Sequence, residues 1–188
     1  MTTTLPPVPA VPTRAEVTPT ALCPLPERLA RRVAALKAHF EQVRTTRMVG
    51  VPLLNAALRV EAVGFQPAAF DADTDGLEGV LITPWFMSLV RLPLQALPHG
   101  QRVGTRLVRA FGAERFDFLG AHDPDLGYHE TCALFSPMDG FASHDQARDT
   151  AEAALALIRQ PPAAASPTAP PPRRAFFKAL VPSASAGA

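Results

Sequence analysis

Hydrophobic residues recur at helical spacing in the stretch from Glu27 to Arg47. Intervals of four, three, four and three residues separate Leu29, Val33, Leu36, Phe40 and Val43, which places them on one face of an α-helix. Pro26 directly before this stretch suits a helix start, and Pro52 follows it. The spacing predicts a helix over residues 27–47.

Shorter apolar runs further along the chain predict β-strands. Alternating apolar and charged residues predict a half-exposed strand within 58–65, and three more strands are predicted over 105–111, 115–119 and 128–135. The acidic segment 71–78 (DADTDGLE) predicts a solvated hairpin loop. It does not match a calcium-binding loop, because Ile82 stands where that pattern needs a glutamate.

The run from Ile82 to Pro93, ITPWFMSLVRLP, contains the only tryptophan of the chain, Trp85. Pro84 interrupts what would otherwise be a continuous apolar strand, because proline lacks the backbone donor that a central strand needs. The run therefore predicts two strands that meet at a bend. Two interpretations of the bend stay open on the residues alone: a hydrophobic corner buried in the core, or an apolar surface that binds a partner.

A second helix is predicted over 144–159, where Ser143 and Gln146 have the spacing of a capping box. Small apolar residues form a stripe along it, so that the helix should pack closely: Ala147, Ala151, Ala154, Leu155 and Ile158. The predicted fold class is α+β, with a mainly antiparallel sheet of five to six strands flanked by an N-terminal and a C-terminal helix. We expect both helices to cover one face of the sheet.

Proline divides the chain into three parts, since seven of its 21 prolines lie in residues 1–26 and seven in residues 161–188. This distribution predicts a disordered Pro-rich arm (1–26), a single folded domain (27–160) and a Pro/Ala-rich tail (161–188). No stretch is long and apolar enough for a membrane span, and the start lacks a secretion signal. We therefore expect a cytoplasmic protein without membrane insertion.

Charge is unevenly distributed along the chain. Residues 27–47 hold six Arg/Lys against two Glu, residues 48–160 hold eight Arg against fourteen Asp/Glu, and the tail holds three basic residues and no acid. A nucleic-acid-binding domain should be basic, so the acidic central part argues against that function. An acidic centre with basic ends suits a basic peptide as a partner, or a basic segment of the same chain.

Few residues suggest chemistry. A disulfide between Cys23 and Cys132 is not expected, because one lies in the arm and the other in a predicted strand. His122, His129 and Cys132 form the only cluster of metal-ligand types, and their spacing matches no zinc pattern. Nucleophile elbows, phosphate-binding glycine loops and H-E-x-x-H motifs are absent from the sequence. The sequence predicts neither an enzyme nor a bound cofactor.

The tail carries a basic and aromatic motif, which we call the tail motif: Arg173, Arg174, Ala175, Phe176, Phe177 and Lys178. It fits R-R-x-F-x-K, the core of a twin-arginine export signal. Such a signal works at an N-terminus, so we do not expect it to export this chain. The alternatives are a chance hexamer in a disordered tail and a mimic of a partner's signal.

Three segments together resemble a known family: GVPLLNAALRVEAVGF (50–65), GVLITPWFMSLVRLP (79–93) and CALFSPM (132–138). They are similar, in order, to the motif blocks of the HybE/HupJ/HoxT family of NiFe-hydrogenase assembly chaperones. The chain departs from the family pattern at Ser88, where Asn is usual, at Arg91, where an apolar residue is usual, and near Asp139-Gly140, where a bulkier, acidic pair is usual.

The resemblance implies a chaperone without enzymatic activity that binds the iron–sulfur small-subunit precursor of a NiFe hydrogenase, or the twin-arginine signal of that precursor, before export. Other hydrogenase accessory proteins are further partners that the resemblance allows. We expect the bend to be partly exposed above packed Leu81, Leu89 and Leu92, with a fully buried corner as the alternative. The expected partner-binding residues are Asn55, Glu61, Thr83, Pro84, Trp85, Phe86, Met87, Phe135, Ser136, Pro137 and Met138, with Glu61 meeting basic groups of the signal. Alternative functions are a metal or redox role in cluster delivery through Cys132, His129 and His122, and a structural subunit of a maturation complex.

Overall fold

Two helices and six strands form the protein, in a computed structural model that describes residues 24–97 and 102–160. The elements are α1 (Leu25–Thr46), β1 (Glu61–Asp71), β2 (Thr74–Ile82), β3 (Met87–Pro93), β4 (Arg106–Phe111), β5 (Glu114–Asp123), β6 (Gly127–Phe135) and α2 (His144–Arg159). The strands form one antiparallel sheet in the order β1-β2-β3-β6-β5-β4. The predicted α+β class, strand number and pair of helices are confirmed.

The helices lie on opposite faces of the sheet, so the expectation that both cover one face was wrong. Leu36 and Phe40 of α1 pack in a cluster with Leu81 and Val90, whereas α2 packs in a separate cluster with their sequence neighbours Val80 and Leu89. The central strand β3 is buried at every position. A strand that is apolar on both faces needs a cover on each side, and one helix supplies each cover.

The segment 71–78 is not a loop, which corrects the sequence prediction. The turn between β1 and β2 takes only Ala72 and Asp73, and β1 begins later and runs longer than predicted. Two glycines lie within β2, although glycine is typical of loops, and phenylalanine side chains of β1 cover them. A Cβ on Gly76 would lie 2.9 Å from the Cβ of Phe70, and a Cβ on Gly79 would lie 2.5 Å from the ring of Phe65. β1 accommodates Pro67 because it is an edge strand of the sheet, where a missing backbone donor is tolerated.

Helix α2 has the predicted bounds, and its five small apolar positions are all buried. The Ser143 hydroxyl accepts a hydrogen bond from the backbone N–H of Gln146 at 3.2 Å, as predicted for the cap. The Gln146 side chain accepts from the N–H of Ala142 at 2.7 Å and so completes the cap one residue earlier than a capping box requires.

Ion pairs connect the two edge strands, which shows that the sheet curls. Asp71 of β1 lies 2.6 Å from Arg102 and 3.3 Å from Arg109 of β4. Arg109 also pairs with Glu130 of β6 at 2.8 Å, and Glu130 has no exposed side-chain surface. These contacts bring together strands that stand at opposite ends of the sheet order.

Within the described ranges, no helix has the length and apolar character needed to cross a membrane. Most of the arm, the whole tail with its motif, and Cys23 lie outside the described residues.

Candidate functional site

The three motif segments meet at one corner of the molecule, which we call the motif junction (Asn55, 83–87 and 135–138). Asn55 connects them. Its backbone N–H donates to the carbonyl of Pro84 at 2.9 Å, and its side-chain amide donates to the carbonyls of Met138 (2.9 Å) and Phe141 (2.8 Å). Its side-chain oxygen accepts from the N–H of Ala57 at 3.0 Å, which is the local turn expected of Asn.

The bend between β2 and β3 is held by Thr83. Its hydroxyl accepts from the N–H groups of Trp85 (3.3 Å) and Phe86 (2.9 Å) and donates to the carbonyl of Phe86 at 2.9 Å. Pro84 occupies the bend, outside both strands, where the sheet requires no donor from it. The third motif segment joins here, because the Ser136 hydroxyl lies 3.5 Å from the carbonyl of Trp85.

The bend is mostly buried, which corrects the expectation that it is partly exposed. Thr83, Met87 and Met138 have no exposed surface, and Trp85 is 9% exposed. The Trp85 ring meets Phe86 edge to face at 5.7 Å, in the cluster that contains α1. Phe86 is half-buried, so it is the ring of this aromatic pair that has exposed surface. The junction therefore has a packed interior, and Trp85 and Met138 offer a partner almost no apolar area.

A groove on the sheet face begins beside Phe86, and we call it the sheet groove. It has a volume of about 510 Å³ and is lined by Phe86, Ser88, Arg106, Leu119, Ala133 and Ser136, among others. The strand register places Ser88 opposite Ala133 and Leu119 opposite Arg106. These residues lie on the same face of the sheet as α1, which covers that face over other strands. This part of the face is open, and Leu119 is 47% exposed.

A second groove lies on the other side of the Ser136–Pro137 segment, and we call it the loop groove. It has a volume of about 470 Å³ and is lined by Pro52, Leu53, Asn55, Pro137, Asp139 and Phe141, among others. Leu53 is 47% exposed. The sequence did not single out Leu53 or Phe141; the only available signal was their position within or just after two of the motif segments.

Glu61 already has cationic partners, which corrects the expectation that it awaits basic groups of a signal. It accepts two hydrogen bonds of 3.0 Å from Arg148 and one from His144. Burial alone would raise the pKa of Glu61, but the hydrogen bonds and charges of Arg148 and His144 outweigh it and lower this pKa. The carboxylate thus ties β1 to α2.

Arg91, one of the departures from the family pattern, is buried and hydrogen-bonded within the protein. It donates to Glu130 at 2.6 Å and to the carbonyls of Ala69 (2.8 Å) and Phe70 (2.7 Å). Tyr128 also donates to Glu130, and burial together with the Glu130 charge raises the pKa of Tyr128 to about 12. The other two departures lie at the grooves, Ser88 in the sheet groove and Asp139 in the loop groove.

The residues of the proposed metal cluster do not converge. Ala121 pairs with His129 across β5 and β6, and His122 pairs with Tyr128, so His129 points to the opposite face from His122 and Cys132. Burial lowers the pKa of His129, opposed by its hydrogen bond to the Gly127 carbonyl. In the part of the chain that the structure describes, no three His, Cys, Asp or Glu side chains could hold a metal ion.

Comparison with known proteins decides the family. A family model described as NiFe-hydrogenase assembly, chaperone, HybE matches residues 31–179. The chain belongs to the HybE family of hydrogenase assembly chaperones. Among its relatives, protein HoxT of Cupriavidus necator is 43% identical over 138 residues, which cover 70% of this chain and 77% of that protein. Hydrogenase expression/formation protein HupJ of Bradyrhizobium diazoefficiens is 39% identical over 126 residues, covering 67% and 70%.

Among solved structures, HybE from Escherichia coli in solution overlaps 74% of this chain and 83% of its own, with a TM-score of 0.47 and 18% identity. The family model covers all three motif segments of the junction and continues past α2 over the tail motif.

In this HybE-family chain, the residues of the expected partner-binding set divide into two groups. Most form the interior of the junction or internal contacts, while Asn55, Phe86, Ser136 and Pro137 line the grooves beside it.

Proposed function

We propose that this HybE-family protein is a cytoplasmic accessory chaperone that binds the iron–sulfur small-subunit precursor of a NiFe hydrogenase, or its twin-arginine signal, before export. The observation that carries the proposal is the motif junction itself. Hydrogen bonds of Asn55 join its three segments, and junction residues line two open grooves beside it.

The buried residues of the junction act as positioning residues for the two grooves. Thr83 fixes the bend that holds Phe86 at the edge of the sheet groove. Asn55 fixes the carbonyls of Met138 and Phe141, and so sets the wall of the loop groove. Rigid, preformed surfaces favour binding because little ordering is left to occur when the partner arrives.

The loop groove suits a signal that combines basic and apolar residues. Pro52, Leu53 and Pro137 give it an exposed apolar lining, and Asp139 adds a carboxylate at its edge. The sheet groove contains both Arg106 and Asp117, so its charges are of mixed sign. We assign the basic part of a twin-arginine signal to the loop groove and neighbouring extended sequence of the precursor to the sheet groove.

Capture of the precursor by groove variants tests this function. Leu53→Ser and Phe86→Ala, combined in one chain, each alter an exposed or half-exposed lining residue. We expect capture of the small-subunit precursor to fall at least about tenfold, which corresponds to about 1.4 kcal/mol of binding free energy. Leu157→Ser is the matched control, because Leu157 is 42% exposed on α2 and lines neither groove.

A double variant that keeps the wild-type circular dichroism spectrum and still captures the precursor at full strength would contradict the proposal. Stable co-purification with other hydrogenase accessory proteins, unaffected by the same substitutions, would instead support the role of a structural subunit.

A further inference from the structure

The tail motif carries the same chemistry that the loop groove suits. Arg173, Arg174 and Lys178 are its cations, Phe176 and Phe177 are its apolar groups, and residues 161–188 contain no acid. The motif fits the R-R-x-F-x-K core of a twin-arginine signal, and the family match extends over it. A ligand of this kind is therefore present in the chain itself.

Carboxylates lie at the loop groove and along the helix that leads away from it. Asp139 lines the groove and makes no ion pair within the described residues. Asp145, Asp149 and Glu152 are exposed on α2 at spacings of four and three residues, which places them on one side of the helix. Only Asp145 pairs with a cation among the described ranges, at 3.7 Å from Arg148. The row provides negative charge between the end of α2 and the groove.

The connection between α2 and the tail motif is long enough to return to the loop groove. The groove lies near the start of α2, since Phe141 lines it and Ser143 caps the helix. The 16 residues of α2 span about 24 Å at about 1.5 Å per residue. Residues 161–172 number twelve, six of them proline, and such a segment reaches about 37 Å at about 3.1 Å per residue.

We propose that the tail motif binds the loop groove of its own chain and competes there with the twin-arginine signal of the precursor. The arginines and lysine meet Asp139 and the acidic row of α2, and the two phenylalanines lie on Leu53 and Pro137. This inference rests on the proposed function and adds its regulation. The tail occupies the groove when no precursor is present, and a precursor must displace it.

Intramolecular binding makes this competition effective even if the contact is weak. A segment on a short connection has an effective concentration in the millimolar range. A groove that is open for only a fraction of the time binds an external ligand with its affinity reduced by that fraction. Removing a tail that closes the groove about nine-tenths of the time should therefore raise the apparent affinity about tenfold.

The test uses full-length protein and a fluorescein-labelled peptide of residues 170–180, followed by fluorescence anisotropy. The tail variant combines Arg173→Ala, Arg174→Ala, Phe176→Ala and Phe177→Ala. We expect the peptide to bind this variant about tenfold more tightly than the wild-type chain, because the attached tail no longer competes. Adding Asp139→Asn and Leu53→Ser to the tail variant should remove the binding, whereas adding Leu157→Ser should leave it unchanged.

Equal peptide affinity for the wild type and the tail variant would overturn the inference, and so would binding that survives the two groove substitutions. Capture of the precursor by the same proteins separates the two proposals. If the peptide results hold and the precursor is not captured, the proposed function fails while tail binding stands. Equal capture of the precursor by the wild type and the tail variant would refute the competition alone.

Discussion

At the scale of single residues, Asn55 shows how one polar side chain joins distant parts of a sequence. Its local hydrogen bond to the N–H of Ala57 is what the sequence predicts for Asn in a turn. Its bonds to the carbonyls of Met138 and Phe141 cross 83 and 86 positions, and no local pattern encodes them. Neutral hydrogen bonds of this kind contribute about 1 kcal/mol each and leave buried carbonyls unsatisfied when lost.

Glu61 illustrates the same limit on reasoning from sequence. The family resemblance implies that Glu61, an acid in a predicted half-exposed strand, meets basic groups of a partner. Its actual hydrogen-bond partners, His144 and Arg148, follow 83 and 87 positions later on α2. The exposure of Trp85 could not be predicted either, because a proline at a bend predicts a corner but does not indicate which way the neighbouring ring points. Its burial depends on packing in the α1 cluster.

The lowered pKa of Glu61 predicts how stability depends on pH. A carboxyl whose pKa is lower in the folded state than in the unfolded state stabilises the fold above the unfolded pKa, about 4.3, and this contribution is lost as pH falls through the folded pKa. We therefore expect the free energy of unfolding of Glu61→Gln to fall less between pH 6 and pH 3 than that of the wild type. Urea unfolding at a series of pH values measures it.

Arg148→Met is the matched variant for this prediction. Without the Arg148 guanidinium, the pKa of Glu61 moves back towards its ordinary value, so the pH dependence should flatten in the same direction. A Glu61→Gln chain that retained the full wild-type decrease would show that the acid sensitivity arises elsewhere.

At the scale of elements, the helices and four of the strands could be predicted, and the first hairpin could not. Helix α2 is specified locally, by Ser143 as its cap and by apolar residues at helical spacing. The sequence predicts a loop over residues 71–78 in place of the β1–β2 hairpin, because acids and glycines are typical of loops. Gly76 and Gly79 lie within β2, where Phe70 and Phe65 of β1 leave no room for a Cβ. Such a pairing of glycine with an aromatic ring on the next strand is a tertiary feature.

Gly79→Ala tests this explanation of the hairpin. A Cβ at residue 79 would lie 2.5 Å from the Phe65 ring, so the ring must move out of its place against α1. Overpacking of this kind costs about 1–3 kcal/mol, and we expect the free energy of unfolding to fall by about 2 kcal/mol. Gly140→Ala is the control, because nothing lies within 4 Å of its added Cβ. Equal stability of the two variants in urea would refute the role of the ring.

At the scale of the whole molecule, one sheet separates two hydrophobic clusters, and the motif junction belongs to both. Trp85 packs in the cluster of α1, and Met87 and Met138 pack in the cluster of α2. The sequence predicted both helices but not their placement on opposite faces, because both apolar stripes fit either face equally well. The continuous burial of β3 is what requires two covers.

A sheet shared by both clusters should make unfolding cooperative, and the single tryptophan allows a direct test. Ile158 is 1% exposed in the α2 cluster, so Ile158→Ala should lower the free energy of unfolding by about 2–4 kcal/mol through lost contacts and a cavity.

Trp85 fluorescence reports on the opposite face of the sheet, where α1 packs. If the clusters unfold together, its urea midpoint falls as far as the midpoint from far-ultraviolet circular dichroism. Leu157→Ala, on the exposed side of the same helix, should change the free energy of unfolding from either probe by no more than about 0.5 kcal/mol. A Trp85 transition that stayed at the wild-type midpoint would mean that the α1 side, with the bend of the motif junction, unfolds independently of α2.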